Sequence, residues 1–414
     1  MRSVLYRCHG VMVSCLVALV CLWSPVAAQE PRDLNTLIGP TDSALIVRNS
    51  DGHILFSKNC DTLLVPASIL KVITSLAAFH ILGEEFRFTT EFYLKPNGDL
   101  VIRGYGDPCL VSEEIEEATL RIAEAVPRVG NILVDDSFFA PGIAIPGQTN
   151  GSRQPYDALN SALSANFNTV AVARQKGRYV SADPHTPLVP FAQRRIEKMA
   201  PVRGRTAFLQ DPEEAALYAG ELFACFLDRY GCVVTGRVIH GRADPVTDRL
   251  LYTHVSRDTL SDVVQKLLRY SSNFMANQIL LACGAKMYGP PGDLAKGVAA
   301  VRHYVETVLA INGMQIDEGS GLSRENRLSA RMMARVLETF APYMERMRIS
   351  GNEYYKTGTL SGVSTRAGYL VRDDGERYSF VVMLNTPGKR ADAIMPVVRQ
   401  MVAADPAPVG YPFY

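Results

Sequence analysis

"PASILKVITSLAAFHILG", residues 66–83, is an apolar helical pattern with a lysine near its start. Helical spacing puts Lys71 on the same face as Ser68, three residues earlier. Apolar neighbours remove water from the amine and the positive end of the helix dipole faces it, so both effects lower the pKa of Lys71. A lysine close to neutrality can accept the proton of a serine hydroxyl, and backbone amides of the same turn can stabilise an oxyanion. The alternative is a Lys71 side chain that extends to solvent.

Two strand-turn-strand patterns lie outside this helix, one towards each end of the chain. Residues 44–59 and 366–385 place apolar runs around the turn sequences "NSDG" and "DDG", and they predict β-hairpins. A further strand is predicted at 354–360, a final helix at 391–404, and mainly helical structure from 259 to 338. Together these elements predict an α+β fold, in which helices flank an antiparallel sheet built from both ends of the chain.

The middle of the chain has a different pattern. Short β-like runs rich in Gly and Pro alternate there with two helical patterns. We therefore predict that residues 91–250 are an inserted, mostly β domain. Residues 29–90 and 251–414 are predicted to form the domain that contains the Ser68–Lys71 helix.

The composition is that of an ordinary globular protein. Of the 414 residues, 21% are charged and 47% are hydrophobic, and the net charge of +1 argues against nucleic acid as a partner. At the N-terminus, Arg2 and Arg7 precede an apolar run, and small residues end at Ala28, so residues 1–28 are predicted to be a cleaved signal peptide. An uncleaved anchor is the alternative, although the apolar run is short for a membrane span.

Five of the eight cysteines remain once the signal peptide is removed. Cys225 and Cys232 are close enough in sequence to form a disulfide in an oxidising compartment. We favour the alternative, a free Cys225 in the apolar run "LFACFL", because free cysteine is among the most buried residue types. The chain has neither a CxxC nor an HExxH sequence, and we expect no metal and no cofactor.

Two more motifs follow the first. "SSN" at 271–273 opens a predicted helix, with Ser271 as its expected N-cap. "KTGT" at 356–359 lies on the predicted strand, where the glycine lets a ligand backbone approach closely. Taken singly, these sequences also fit a simple helix cap and an exposed edge strand. In the order SxxK, SxN and KTG, however, they match the motif set of serine β-lactamases and penicillin-binding proteins, which predicts a β-lactamase/transpeptidase-like domain with acyl-transfer chemistry.

The whole mature chain resembles the D-alanyl-D-alanine carboxypeptidase/endopeptidase family, the low-molecular-mass penicillin-binding proteins with a large insert after the SxxK helix. The sequences that carry this resemblance are "PASILK", "GDLVIRGYGDPCL", "GNILVDDSFF", "SANFNTV", "SSNFMANQILL", "EGSGLSRENRLSARMMARVL" and "KTGTLSGVSTRAGYL". The run "SGLSREN" is the most specific, because the general β-lactamase pattern lacks it. Two departures are Glu318 and Ser272, since Asp is usual at both places, and we assign Glu318 no catalytic role.

The resemblance implies a role for each motif residue. The chemistry is expected to be done by the nucleophile Ser68, the general base Lys71 and the proton relay Ser271. Substrate binding is expected from Asn273 at an amide, Lys356 as a positive charge, Thr357 and Thr359 at the terminal carboxylate, and Gly358 where the ligand backbone approaches. The backbone N–H groups of Ser68 and Thr359 are the implied oxyanion hole.

The resemblance also implies a function and a location. It implies hydrolysis of the terminal D-Ala-D-Ala bond of peptidoglycan stem peptides, with endopeptidase action on cross-links left open. β-Lactams are the implied covalent inhibitors. Together with the signal peptide, the resemblance implies a periplasmic protein secreted across the inner membrane.

A serine β-lactamase and a non-catalytic wall-binding module of the same fold are the alternatives. Rapid deacylation in one large β-lactamase class needs an ExxLN-type sequence, and the closest runs, at 117–121 and 214–218, lack the Asn. The module is disfavoured because all the catalytic side chains are present, although fold alone does not establish function. An esterase with a GxSxG nucleophile is disfavoured because that sequence is absent.

Overall fold

The computed structural model describes residues 33–199 and 201–406, so the predicted signal peptide, residues 1–28, lies outside the described residues. The strands are β1 Asp42–Arg48, β2 Ile54–Lys58, β3 Thr89–Leu94, β4 Leu100–Gly104, β5 Arg128–Val129, β6 Ile132–Asp135, β7 Thr169–Gln175, β8 Arg178–Ser181, β9 Gly204–Ala207, β10 Val233–Val234, β11 Val238–His240, β12 Arg249–Val255, β13 Arg348–Ser350, β14 Glu353–Leu360, β15 Val363–Val371 and β16 Arg377–Leu384. The helices are α1 Leu34–Leu37, α2 Lys71–Leu82, α3 Ser112–Ala125, α4 Pro190–Glu197, α5 Glu213–Arg229, α6 Leu260–Tyr270, α7 Asn273–Tyr288, α8 Leu294–Thr307, α9 Ala330–Phe340 and α10 Met395–Ala404. Within these described ranges, no helix is long and apolar enough to cross a membrane.

The first sheet joins the two ends of the chain. Its six strands follow the order β13-β14-β15-β16-β1-β2, and all neighbours are antiparallel. The hairpin predicted at 44–59 is β1–β2, and the hairpin predicted at 366–385 is β15–β16, so both predictions are confirmed. The pairing of β1 with β16 brings residues at least 330 positions apart into one sheet, which a local sequence pattern cannot specify.

Both faces of this sheet are covered by helices. Side chains of β16 alternate between them: Val381 and Met383 pack in the core around α2, whereas Phe380 and Val382 pack against α10. On the first side, α2 lies against α6, α7, α8 and α9. The apolar helix recognised in the sequence is therefore central to the helical layer, and this burial determines the environment of Lys71.

The residues between α2 and α6 form a second sheet with a core of its own. Its strand order is β11-β6-β4-β3-β12, and α3 and α5 pack on it. The two helical patterns predicted here are confirmed as α3 and α5, and the structure adds α4, which was not predicted. The insert limits that we propose, residues 91 and 250, fall inside β3 and β12, which pair with each other.

The five cysteines of the described residues are free thiols. Cys232 is buried in the core of the second sheet, and Cys225 packs at the edge of that core. Burial raises the pKa of both thiols, which disfavours the reactive thiolate. The structure thus agrees with the favoured alternative, in which Cys225 fills apolar space.

Candidate active site

Ser68 and Lys71 meet at the start of α2, where the helix begins differently from the prediction. A tight 3-10 turn, Ala67–Leu70, precedes the α-helix, and Ser68 belongs to this turn. Lys71 has no exposed surface, whereas Ser68 is partly exposed. The amine of Lys71 lies 2.8 Å from the Ser68 hydroxyl, so the pair predicted from the spacing is in hydrogen-bond contact.

Burial also determines the ionisation of Lys71. It lowers the pKa of the amine from its ordinary 10.5 to about 7, and the negative charge of Glu318 acts in the opposite direction. Nζ donates to Asn273 Oδ1 at 2.8 Å and to the Ser320 carbonyl oxygen at 2.6 Å. A neutral amine satisfies both acceptors with its two N–H groups, and its lone pair is left for the Ser68 hydroxyl. The geometry therefore suits a general base.

Ser271 differs from its predicted local role. It ends α6 and has a φ of 58°, in the left-handed region, whereas Ser272 is the N-cap of α7 and accepts from the Met275 N–H. The prediction that Ser271 caps the helix is therefore wrong. The left-handed turn leaves the Ser271 hydroxyl facing Lys356, whose Nζ donates to it at 2.7 Å. A strained position of this kind is common at functional sites, where the surrounding structure holds it in place.

Lys356 is a second buried lysine next to the first. It has no exposed surface, and its pKa lies well below the ordinary value because of burial and the positive charges of Lys71 and Arg348. Lys356 and Lys71 thus approach Ser271 and Ser68, respectively, from the protein interior. Two hydroxyls, each paired with an amine of lowered pKa, can exchange protons at neutral pH.

Asn273 connects the catalytic helix to the insert. Its Oδ1 accepts from Lys71, and its Nδ2 donates to the Tyr156 carbonyl oxygen at 3.1 Å. One N–H of the amide and one lone pair of Oδ1 remain available for a substrate amide. Tyr156 was not singled out from the sequence, because nothing in its neighbourhood indicates contact with a residue more than 100 positions away.

Two glycines allow other segments to approach the backbone beside Ser68. A Cβ on Gly358 would lie 2.7 Å from the Ser68 nitrogen, and one on Gly321 would lie 1.9 Å from the Ala67 carbonyl oxygen. Gly321 also has a φ of +80°, which glycine adopts without strain. Strand β14 and the loop that contains Gly321 can therefore close around Ser68 only because neither glycine has a side chain.

The site opens into a cavity of about 850 Å³. Its lining includes Ser68, Ser271, Asn273 and Thr359, together with Tyr156 of the insert, while Lys71 and Lys356 lie buried beneath it. Thr357 instead lines a neighbouring cavity of about 550 Å³, which Thr359 and Gly358 also border. Four cationic side chains line that second cavity, namely Arg348, Arg366, Lys389 and Arg390, and Asp392 of the same lining pairs with Arg366 and Arg390. The motif residues of all three segments thus meet at two adjoining cavities.

Glu318 organises the loop that closes the site. It is fully buried, and both of its oxygens accept hydrogen bonds. The donors are the N–H groups of Ser320, Leu322 and Ser323, the Ser320 hydroxyl, and the side-chain amides of Asn277 and Asn326. Glu318 therefore holds the Ser320 carbonyl oxygen against Lys71. The only sequence signal for this role was an acidic residue before the "GSGLSREN" run.

The chain is similar in sequence to one known protein family and to individual carboxypeptidases. The sequence model of the family described as D-Ala-D-Ala carboxypeptidase 3 (S13) matches residues 32–206 and 201–353. D-alanyl-D-alanine carboxypeptidase DacB of Haemophilus influenzae is 24% identical over 403 residues, which are 81% of this chain and 83% of the relative. A D-alanyl-D-alanine carboxypeptidase of Actinomadura sp. is 24% identical over 422 residues, 82% of this chain and 77% of the relative. The family resemblance predicted from the sequence is confirmed.

Solved structures establish the fold in the same way. Penicillin binding protein 4 of Haemophilus influenzae matches with a TM-score of 0.71 at 21% identity, over 87% of this chain and 94% of that one. A predatory peptidoglycan endopeptidase of Bdellovibrio bacteriovorus matches with a TM-score of 0.52 at 14% identity, over 89% and 94% of the two chains. The predicted α+β, transpeptidase-like fold with a β-rich insert is confirmed.

Proposed function

The chain belongs to the D-Ala-D-Ala carboxypeptidase 3 (S13) family, and from this premise we propose that it hydrolyses the terminal D-Ala-D-Ala bond of peptidoglycan stem peptides through an acyl-enzyme on Ser68. The observation that carries the proposal is the 2.8 Å contact between the Ser68 hydroxyl and a fully buried Lys71 amine. Burial makes the neutral amine abundant near pH 7, so Ser68 has a base without the aid of histidine.

Acylation begins with the removal of a proton. Neutral Lys71 takes the proton of the Ser68 hydroxyl while Oγ attacks the carbonyl carbon between the two D-alanines. The oxyanion that forms accepts hydrogen bonds from the backbone N–H groups of Ser68 and Thr359. A Cβ on Gly358 would lie 2.7 Å from the Ser68 nitrogen, so β14 passes close to this backbone N–H group. That close approach supports the placement of the oxyanion.

Collapse of the tetrahedral intermediate breaks the bond to the leaving nitrogen. Ser271 gives its proton to that nitrogen and is reprotonated from Lys356, whose amine lies 2.7 Å away. Thr357 and Thr359 bind the carboxylate of the departing D-alanine, and Arg348 in the lining of their shared cavity favours that charge. Water then attacks the ester carbonyl carbon, and the proton that this water loses replaces the one that Lys356 gave up. Lys71 returns its proton to Ser68 Oγ as the ester bond breaks, so both lysines and Ser68 end as they began.

Glu318 bears on the β-lactamase alternative. Both of its oxygens are engaged by donors of its own loop, so this carboxylate is not free to activate a water molecule. That arrangement supports slow release of a β-lactam and hence inhibition, rather than rapid hydrolysis. We therefore propose that β-lactams are covalent inhibitors of this protein, with Ser68 as the acylated residue.

A labelling experiment tests the proposal directly. The mature protein is treated with a fluorescent penicillin, and D-alanine release from a pentapeptide is measured in parallel. Stable labelling and D-alanine release are expected for the native chain, and both should be lost in Ser68→Ala. Ser75→Ala is the matched control, because Ser75 lies further along the same helix and bonds only to the Lys71 carbonyl oxygen. Fast turnover of the label would indicate a β-lactamase, and no labelling would indicate a non-catalytic module.

We also propose a periplasmic location, which the predicted signal peptide and the cell-wall substrate support. The expected observation is that the intact protein is recovered with the periplasmic fraction, beginning at Gln29. Recovery in the cytoplasm with residue 1 still present would contradict it.

A further inference from the structure

Two buried side-chain amides join the insert to the helix that carries Asn273. Asn160 belongs to the segment between β6 and β7, and Gln278 lies in α7. Asn160 Nδ2 donates to Gln278 Oε1 at 3.0 Å. The Gln278 Nε2 group donates in turn to the carbonyl oxygens of Ser161 and Gly106, at 3.0 and 3.4 Å. We call Asn160 and Gln278 the amide clamp.

The second N–H of Asn160 reaches the first turn of α7. It donates at 3.0 Å to the carbonyl oxygen of Phe274, the residue directly after Asn273. Both N–H groups of each clamp amide are therefore engaged. Buried amides are costly unless they are hydrogen-bonded, so a shift of the insert segment along α7 would break several bonds at once. The clamp thus fixes this segment against the start of α7.

The same segment supplies the acceptor that orients Asn273. Tyr156 lies four residues before Asn160, and its carbonyl oxygen accepts from Asn273 Nδ2 at 3.1 Å. The chain between them is short and constrained, because it contains the 3-10 turn Pro155–Asp157 and the buried Ala158. The position of the Tyr156 carbonyl oxygen is therefore determined by the clamp.

The orientation of the Asn273 amide decides what Lys71 contacts. With Nδ2 held by Tyr156, Asn273 presents Oδ1 to the Lys71 amine at 2.8 Å. An amide turned over would present an N–H group instead, and this group would take the lone pair of the neutral amine. That lone pair is the one that accepts the Ser68 proton in the proposed mechanism.

We propose that the amide clamp positions the proposed general base; this inference rests on the proposed function. The clamp holds the Tyr156 carbonyl oxygen against Asn273, so that the Asn273 amide leaves the lone pair of Lys71 to Ser68. Among the described residues, the lining of the catalytic cavity includes neither clamp residue. Both are thus positioning residues, which act through Asn273 and not on the substrate.

The test is the pH dependence of penicillin labelling in Asn160→Ala. Without the clamp the Asn273 amide can turn over, so the labelling rate at its high-pH plateau should fall about tenfold, the effect of one strong hydrogen bond. A donor in place of an acceptor favours neutral Lys71, so the midpoint of the profile should move to lower pH by about 0.5 to 1 unit. Simple loosening would admit water and move the midpoint to higher pH, because burial is what lowers the pKa of Lys71.

Three further variants separate the clamp from general stability. Gln278→Met keeps the side-chain length but has no N–H group, so it should reproduce both effects even if Asn160→Ala folds poorly. Thr119→Ala is the matched control and should behave as the native protein, because this buried hydroxyl of the insert donates to carbonyl oxygens of its own helix. In Asn273→Ala, the addition of Asn160→Ala should lower the labelling rate no further, since the clamp acts through Asn273.

Each contrary result overturns the inference. An unchanged profile in both clamp variants, or a midpoint at higher pH, would reduce the clamp to a packing contact. Additive losses in the double variant would mean that Asn160 acts by a route other than Asn273. In all these cases the native protein is still labelled, whereas a native protein that takes up no penicillin would refute the proposed function itself.

Discussion

Acidification should switch off acylation near neutral pH, because the active form of Lys71 is the neutral amine. With a pKa of about 7, about 90% of Lys71 is neutral at pH 8 and about 10% at pH 6. The rate of acylation by a β-lactam should therefore fall about tenfold as the pH falls from 8 to 6. An ordinary lysine with a pKa of 10.5 would be only about 0.3% neutral at pH 8, and its rate would keep rising to about pH 10.

The assay is the second-order rate constant for labelling by a fluorescent penicillin, measured from pH 5.5 to 9.5 at constant ionic strength. The penicillin carboxylate stays ionised over this range, so the profile reports the enzyme. Lys71→Arg keeps its charge at every pH and should not be labelled, whereas Lys286→Arg, at an exposed position of α7, should match the native protein. A flat profile between pH 6 and 8, or one that rises tenfold per unit up to pH 10, would refute the role assigned to burial.

Other perturbations act on the surroundings of the pair. Glu318→Gln places amide hydrogens against buried N–H and O–H donors, so the free energy of unfolding should fall by about 3 kcal/mol. The same change removes a negative charge that raises the pKa of Lys71, so the pH dependence of the labelling rate should move to lower pH. Gly358→Ala places a Cβ 2.7 Å from the Ser68 nitrogen, and we expect a folded protein by circular dichroism that no longer binds penicillin. Ser272→Ala removes an N-cap and should cost about 1 kcal/mol in urea unfolding with labelling intact, whereas Ser271→Ala should slow D-alanine release at unchanged stability; the reverse result would restore Ser271 as the cap.

Local patterns predicted most of the elements near the site. The hairpins β1–β2 and β15–β16 and the helices α3 and α5 follow from periodicity and turn residues, which act over a few positions. The error at Ser271 has a local cause as well. Two consecutive serines can both cap a helix, and only the left-handed turn at the end of α6 decides that Ser272 does so.

The sequence by itself predicted the chemistry: three short motifs in a fixed order indicate the proposed nucleophile, its lysine and the proposed carboxylate anchors. Tertiary structure alone decided how these groups behave. The lowered pKa of Lys71 comes from helices packed around α2, and Glu318 fixes the carbonyl oxygen that Lys71 contacts. The cavity at Ser68 brings Tyr156 of the insert together with Ser271 and Thr359. Desolvation and cavity shape depend on residues hundreds of positions apart, and no short stretch of sequence contains that information.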